Sequence, residues 1–168
     1  TFTLDGALNE GVVETNTEFK NLPKKITCAG RPIGEYDDKI PSDLSAEQIL
    51  IRSGNIGSIR IAQKIGEEKF KKFLNDLGLL STLDFDIEEI GTPLKFKWGK
   101  CKLATSAYGH GITTTLLQLA KAYSIISNGG YDVRPTLIFE KEKKKNQART
   151  NYLRWYIKKS KFSFKKNS

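Results

Sequence analysis

The run Ile49-Leu50-Ile51-Arg52-Ser53-Gly54-Asn55-Ile56-Gly57-Ser58-Ile59-Arg60-Ile61-Ala62 constrains this chain more than any other. Two apolar helical patterns meet there with only Ser53-Gly54-Asn55 between them. Helices joined so tightly must turn sharply, and a short polar break of that kind carries a hydroxyl and a carboxamide on one turn. Both can then point into a single cleft. Read alone, the triplet is also an ordinary helix–helix turn, since Asn tolerates left-handed backbone and Ser caps helices.

The flanking segments supply further helices. Phe2, Leu4, Ala7 and Leu8 make an apolar stripe that exits at Gly11. Ser42 or Ser45 can cap a helix through Arg52, with Ile49 and Ile51 turned inward. Ile56, Ile59, Ile61 and Ile65 mark the next helix, ending near Gly66, and Phe70, Phe73, Leu74 and Leu77 mark another from Glu67 to Leu77. Thr115 can cap a long helix carrying Leu116, Leu119, Ala120, Tyr123 and Ile126, stopped by Asn128-Gly129-Gly130. Strand signals are sparse. Lys25-Ile26-Thr27-Cys28, then Gly30-Arg31-Pro32-Ile33-Gly34, then Glu35-Tyr36 read as a short hairpin, and Val133 to Phe139 as a strand that Pro135 places at an edge or end. Residues 79–102 read as irregular.

Charge is uneven. Residues 139–168 hold eleven Lys/Arg and two Asp/Glu, which accounts for the whole net charge of +9. Residues 1–138 are balanced, so the basic character is no argument that the folded body binds nucleic acid. The tail interleaves Tyr152, Trp155, Tyr156 and Phe162 with its lysines and arginines, a pattern shared by RNA-binding and anionic-lipid-binding segments and by poorly ordered ends.

Metal and membrane chemistry find little support. His110 is the one histidine, which excludes a standard His/Cys zinc site. Cys28 and Cys101 form no C-x-x-C; one disulfide is open to them, and two free thiols are the expectation. Asp84, Asp86, Glu88 and Glu89 read as a solvated acidic face. No apolar run is long enough for a membrane helix and none resembles a signal peptide. The sequence has no Met, from which an N-terminus other than a natural start is expected.

Four blocks together resemble a known family. Thr1-Phe2-Thr3-Leu4-Asp5-Gly6-Ala7-Leu8-Asn9-Glu10-Gly11-Val12-Val13 is similar to the segment that follows the S-x-x-K of class B penicillin-binding proteins of the septal type. Ile51-Arg52-Ser53-Gly54-Asn55-Ile56-Gly57 is similar to their S-x-N element. Ala104-Thr105-Ser106-Ala107-Tyr108-Gly109-His110-Gly111-Ile112 resembles a cleft loop of the family. The stretch from Leu117-Gln118-Leu119-Ala120 to Asn128-Gly129-Gly130 resembles the helix after that loop. Order and spacing match throughout.

The resemblance implies an α+β penicillin-binding, transpeptidase-like fold, represented here by its helical part with one or two small hairpins. It implies a partial transpeptidase domain over 1–139 and a divergent basic tail over 140–168, expected to be poorly ordered. It implies acyl transfer from a stem peptide ending in D-Ala-D-Ala, through a serine acyl-enzyme that β-lactams also form, and needs no cofactor. Ser53 would relay a proton to the departing D-Ala nitrogen, and Asn55 would donate its amide to the substrate backbone. Tyr108, Gly109, His110 and Gly111 would line the cleft as a tight loop. Cell-division proteins are candidate partners and nucleic acid is not expected. By analogy the parent enzyme is anchored in the inner membrane with this domain in the periplasm.

The sequence departs from the family pattern in three ways. No S-x-x-K precedes the S-x-N, no K-T-G or K-S-G occurs, and Leu116 stands at a helix start where proline is usual. Ser163-Phe164-Lys165-Lys166 fits S-x-x-K only as a pattern, after the S-x-N. The chain is therefore expected to lack acyl-transfer activity alone and to be of low stability. The rival reading is a non-catalytic module whose basic tail grips nucleic acid or anionic membrane.

Overall fold

A computed structural model describes residues 1–86 and 97–137. The chain divides into two compact units, residues 1–71 with 97–112 and residues 72–96 with 113–168. The basic tail, Glu88 and Glu89 lie outside the described residues.

The first unit is built around helix α3 (Asn55–Ile65). Helix α1 (Phe2–Asn9) buries Thr3, Leu4, Gly6, Ala7 and Leu8, the face its apolar spacing specified. Strand β1 (Glu18–Phe19) pairs antiparallel with β4 (Leu44–Ser45). Strands β2 (Lys25–Cys28) and β3 (Arg31–Gly34) form a hairpin as expected, with Ile26 opposite Ile33 and Cys28 opposite Arg31, so that Arg31–Gly34 is the second strand and not the connection before Glu35. Its two-residue turn holds Ala29 at φ 47° and Gly30 at φ 78°, the conformation whose twist matches paired strands.

Helix α2 (Ala46–Ile51) starts from a reciprocal cap. The Ser45 hydroxyl accepts from the Gln48 amide, and the Gln48 side chain accepts from the Ser45 amide. Ile49 is buried as expected, but Ile51 is 71% exposed. A six-residue helix turns two positions by about 200°, so two residues that far apart cannot share a buried face.

Helix α3 (Asn55–Ile65) buries Ile56, Ile59, Ile61 and Ile65 and packs against α1, α2 and α5 (Lys102–Ala107). Its close approach to α2 depends on Gly57, where a Cβ would sit 2.6 Å from an Ile49 carbon. The Thr3 hydroxyl donates to the Ala107 carbonyl at 2.5 Å and fastens α1 to α5. Helix α4 (Glu67–Asp76) follows Gly66; its first half, with fully buried Phe70, belongs to this unit, and its second half, with buried Phe73 and Leu74, to the other.

The two cysteines overturn an expectation. Cys28, at the end of β2, and Cys101, just ahead of α5, are disulfide-bonded with Cα atoms 5.8 Å apart. Seventy-three residues separate them, and only the fold of the first unit brings the hairpin end to α5. Spacing alone carries no trace of that approach.

In the second unit, α6 (Leu116–Ser127) begins with a second reciprocal cap, between Thr115 and Gln118. Gln118 is 1% exposed, and its amide donates to the Gly78 and Ser81 carbonyls at 3.2 and 2.6 Å. That demand sets the helix rotation. Gln118, Ala122 and Ile125 face inward, whereas Leu116 and Tyr123 of the expected apolar stripe are 90% and 45% exposed.

No strand forms over residues 133–137, contrary to expectation; residues 138 and 139 lie outside the described residues. Pro135 has no amide to donate. Polar groups around it turn instead to the acidic pair. Arg134 is 3.2 Å from Asp84 and 3.7 Å from Asp86, and the Thr136 hydroxyl and Leu137 amide donate to Asp86.

Candidate active site

Helix α2 ends in a tight reversal. The Ser53 amide donates to the Leu50 carbonyl and the Gly54 amide to the Ile49 carbonyl, closing the helix with the two bonds of a Schellman turn. The residue at its left-handed position is usually glycine. Here it is Ser53, at φ 55° and exposed to solvent. Left-handed backbone costs a residue with a Cβ roughly 1 kcal/mol or more. Gly54 is extended, and α3 starts at Asn55.

Asn55 is half-buried and firmly held. Its side-chain amide donates to the Gly34 carbonyl at 2.9 Å. A carboxamide has two N–H groups and one oxygen, so among the described residues a second N–H and Oδ1 have no hydrogen-bond partner. The Asn55 backbone amide donates to Glu35 Oε2 at 2.6 Å, and the Ile56 amide to Glu35 Oε1 at 3.0 Å. The Tyr36 hydroxyl reaches the Arg52 carbonyl at 3.3 Å. The segment after β3 therefore braces the Ser53–Asn55 turn. Sequence reasoning placed Glu35 in the hairpin only and gave it no functional role. Its only local signal is an acidic residue directly after a strand.

Tyr108, Gly109, His110 and Gly111, expected to line a cleft, form a tight turn after α5. Gly109 and Gly111 have φ 89° and 78°, and the His110 amide donates to the Thr105 carbonyl. Lys102 Nζ donates to the Gly111 carbonyl at 2.8 Å. The Tyr108 and His110 rings stack with centroids 6.1 Å apart. No hydrogen bond joins this loop to Ser53 or Asn55 among the described residues.

A cavity of about 350 Å³ lies elsewhere, lined by Phe19, Leu22, Arg60 and Lys64 among others, and includes neither Ser53 nor Asn55. Among the described residues no cluster of three or more His, Cys, Asp and Glu could hold a metal. Among them, too, no helix is long and apolar enough to cross a membrane.

Comparison with known proteins bears on what this arrangement belongs to. The chain is 30% identical over 132 residues to the probable peptidoglycan D,D-transpeptidase PenA of Neisseria flavescens, covering 77% of this chain and 32% of that protein. It is 30% identical over 138 residues to the probable peptidoglycan D,D-transpeptidase FtsI of Caulobacter vibrioides, covering 82% and 23%. The chain thus spans a third or less of the curated relatives it matches.

Among solved structures, a transpeptidase domain of Burkholderia pseudomallei penicillin-binding protein 3 superposes with a TM-score of 0.76 at 24% identity, over 88% of this chain and 45% of that one. A structure described as a peptidoglycan glycosyltransferase from Burkholderia ambifaria gives 0.77 at 23%, over 88% and 48%. Both establish the α+β transpeptidase fold, of which the helices and small antiparallel pairs described above are a part. The model of the penicillin binding protein transpeptidase domain matches residues 1–161, and on that match the chain belongs to this family.

Proposed function

We propose that this chain supplies the S-x-N portion of a peptidoglycan D,D-transpeptidase site. The substrate class is a stem peptide ending in D-Ala-D-Ala, and β-lactams are the matching acylating inhibitors. The attacking serine and the lysine that accepts its proton are those of the family's S-x-x-K, which this sequence does not contain ahead of Ser53. Ser53 passes a proton to the departing D-Ala nitrogen. Asn55 offers its remaining N–H to the peptide backbone. The Tyr108–Gly111 turn lines the same cleft. The Cys28–Cys101 disulfide suits an oxidising compartment such as the periplasm.

The observation that carries this reading is the Ser53 backbone. A solvated turn with no task would gain from glycine at a left-handed position. Serine there, exposed and next to a clamped asparagine, fits a hydroxyl kept for chemistry.

Labelling by a fluorescent penicillin tests it. The 168-residue chain alone should not label. Labelling should appear once an S-x-x-K segment upstream and a K-T-G segment downstream are joined to it. In that form Ser53→Gly should slow acylation by about 10²–10⁴-fold without loss of thermal stability. Unchanged acylation in Ser53→Gly would refute the relay.

A further inference from the structure

We propose that Glu35 is the residue that positions Asn55, capping α3 from outside the helix so that the S-x-N turn keeps one conformation. The inference rests on the transpeptidase reading for its purpose, but its physical content stands on the geometry below.

A helix start leaves amides without intrahelical partners, and the residue just before the helix normally accepts from them. Here that residue is Gly54, which has no side chain and makes no cap bond. The acceptor comes instead from twenty residues upstream. Both Glu35 carboxylate oxygens are engaged, one by Asn55 and one by Ile56. A carboxylate at this end also meets the positive pole of the helix. Next to it, the Gly34 carbonyl takes one N–H of the Asn55 carboxamide. Backbone and side chain of Asn55 are thus both set by the segment that follows β3. That segment is itself anchored, with Ile33 buried in β3 and the far end of the hairpin tied by Cys28–Cys101.

The remote cap has a consequence for the site. No side chain stands between Ser53 and Asn55, and the Asn55 N–H and Oδ1 that have no partner among the described residues are held in a fixed direction. A cap supplied by residue 54 would give the same helix stability without fixing Asn55. A Cβ at Gly54 would lie 3.7 Å from the Glu35 carboxylate, an ordinary contact, so the two arrangements can be compared in one protein.

The test uses isotope-labelled chain with Glu35→Gln, and with Glu35→Gln combined with Gly54→Ser. In Glu35→Gln, amide exchange at Asn55 and Ile56 should rise by about 10–100-fold, with exchange from Arg60 onward unchanged. The two Asn55 side-chain N–H resonances, split by the Gly34 bond, should move toward each other. In the double variant, the serine hydroxyl introduced just ahead of the helix restores a local cap. Thermal stability should then return while the Asn55 side-chain signature does not. If Glu35→Gln leaves Asn55 unchanged, or the double variant restores both properties, Glu35 is an ordinary cap and the proposal is wrong. Penicillin plays no part in these measurements, so their failure is distinct from failure of the labelling test.

Discussion

Two residues set how tightly and at what pH the first unit holds together. Gly57 lies in the middle of α3, where alanine would ordinarily gain about 1 kcal/mol from helix propensity. Its Cβ, however, would meet three Ile49 carbons at 2.6 to 2.8 Å, closer than such atoms can pack. Gly57→Ala should therefore lower stability by about 1–3 kcal/mol in urea unfolding. Adding Ile49→Ala should cost less in that background than in the native chain, because the clash goes with it. Additive losses would mean that the helices simply part.

Asp5 acts through its charge. Burial raises its carboxyl from the usual 3.8 to about 6, opposed by the neighbouring Thr1 ammonium, and one oxygen has no hydrogen-bond partner among the described residues. A raised acid favours folding below pH 4 and opposes it increasingly as pH rises through about 6. The gap corresponds to a ceiling of about 3 kcal/mol. Asp5→Asn should stabilise the chain at pH 7 and bring no gain at pH 3.5. An equal effect at both would rule out the charge as its cause.

At the scale of elements, the disulfide is the clearest test of how the first unit is built. It closes a span of 73 residues between the hairpin and α5. In the chain-entropy account a link of that length stabilises by about 4 kcal/mol. Cys28→Ser, or reduction of the native chain, should lower the urea midpoint accordingly. Identical melts with and without reductant would show that the thiols are unlinked in solution.

This bond also marks the limit of what the residue order reveals. Helices α1, α3 and α4 were legible because their apolar residues repeat at helical spacing and glycines close them. The β2–β3 hairpin was legible from Lys25–Cys28 and the Gly/Pro-rich stretch after it, but not its turn, which lies at Ala29-Gly30 with Arg31–Gly34 as the second strand. Ser53 and Asn55 stand out as candidates because four blocks occur in family order. What escaped depends on contacts distant in sequence: Cys28 with Cys101, Glu35 with the start of α3, and Gln118 with Gly78 and Ser81. The rotation of α6 was misread for this reason. Leu116, Ala120 and Tyr123 form a regular stripe, yet the buried Gln118 carboxamide, bonded to the carbonyls of buried Gly78 and of Ser81, outweighs it, since an unpaired buried polar group costs about 1–3 kcal/mol. Gln118→Leu should accordingly destabilise the chain despite leucine's better hydrophobicity, as thermal melts would report.

At the scale of the whole molecule, apolar side chains remain uncovered on both units. Leu50 and Ile51 at the end of α2 are 42% and 71% exposed, and Leu116 on α6 is 90% exposed. Surfaces of this kind favour association. The net charge of +9 opposes it, since like-charged chains repel until salt screens them over about 8–10 Å. The two effects predict a specific salt response. Sedimentation velocity should show mostly monomer at low ionic strength, with larger species growing as sodium sulfate is added, because sulfate both screens charge and strengthens apolar contact. Ile51→Lys with Leu116→Glu should suppress that growth at unchanged net charge and without loss of thermal stability, because both side chains already lie in water. Leu116 also opens α6, where glutamate suits the helix dipole. Growth that persists in the double variant would place the sticky surface elsewhere. A monomer at every salt concentration would show that these residues are too dispersed to form an adhesive patch.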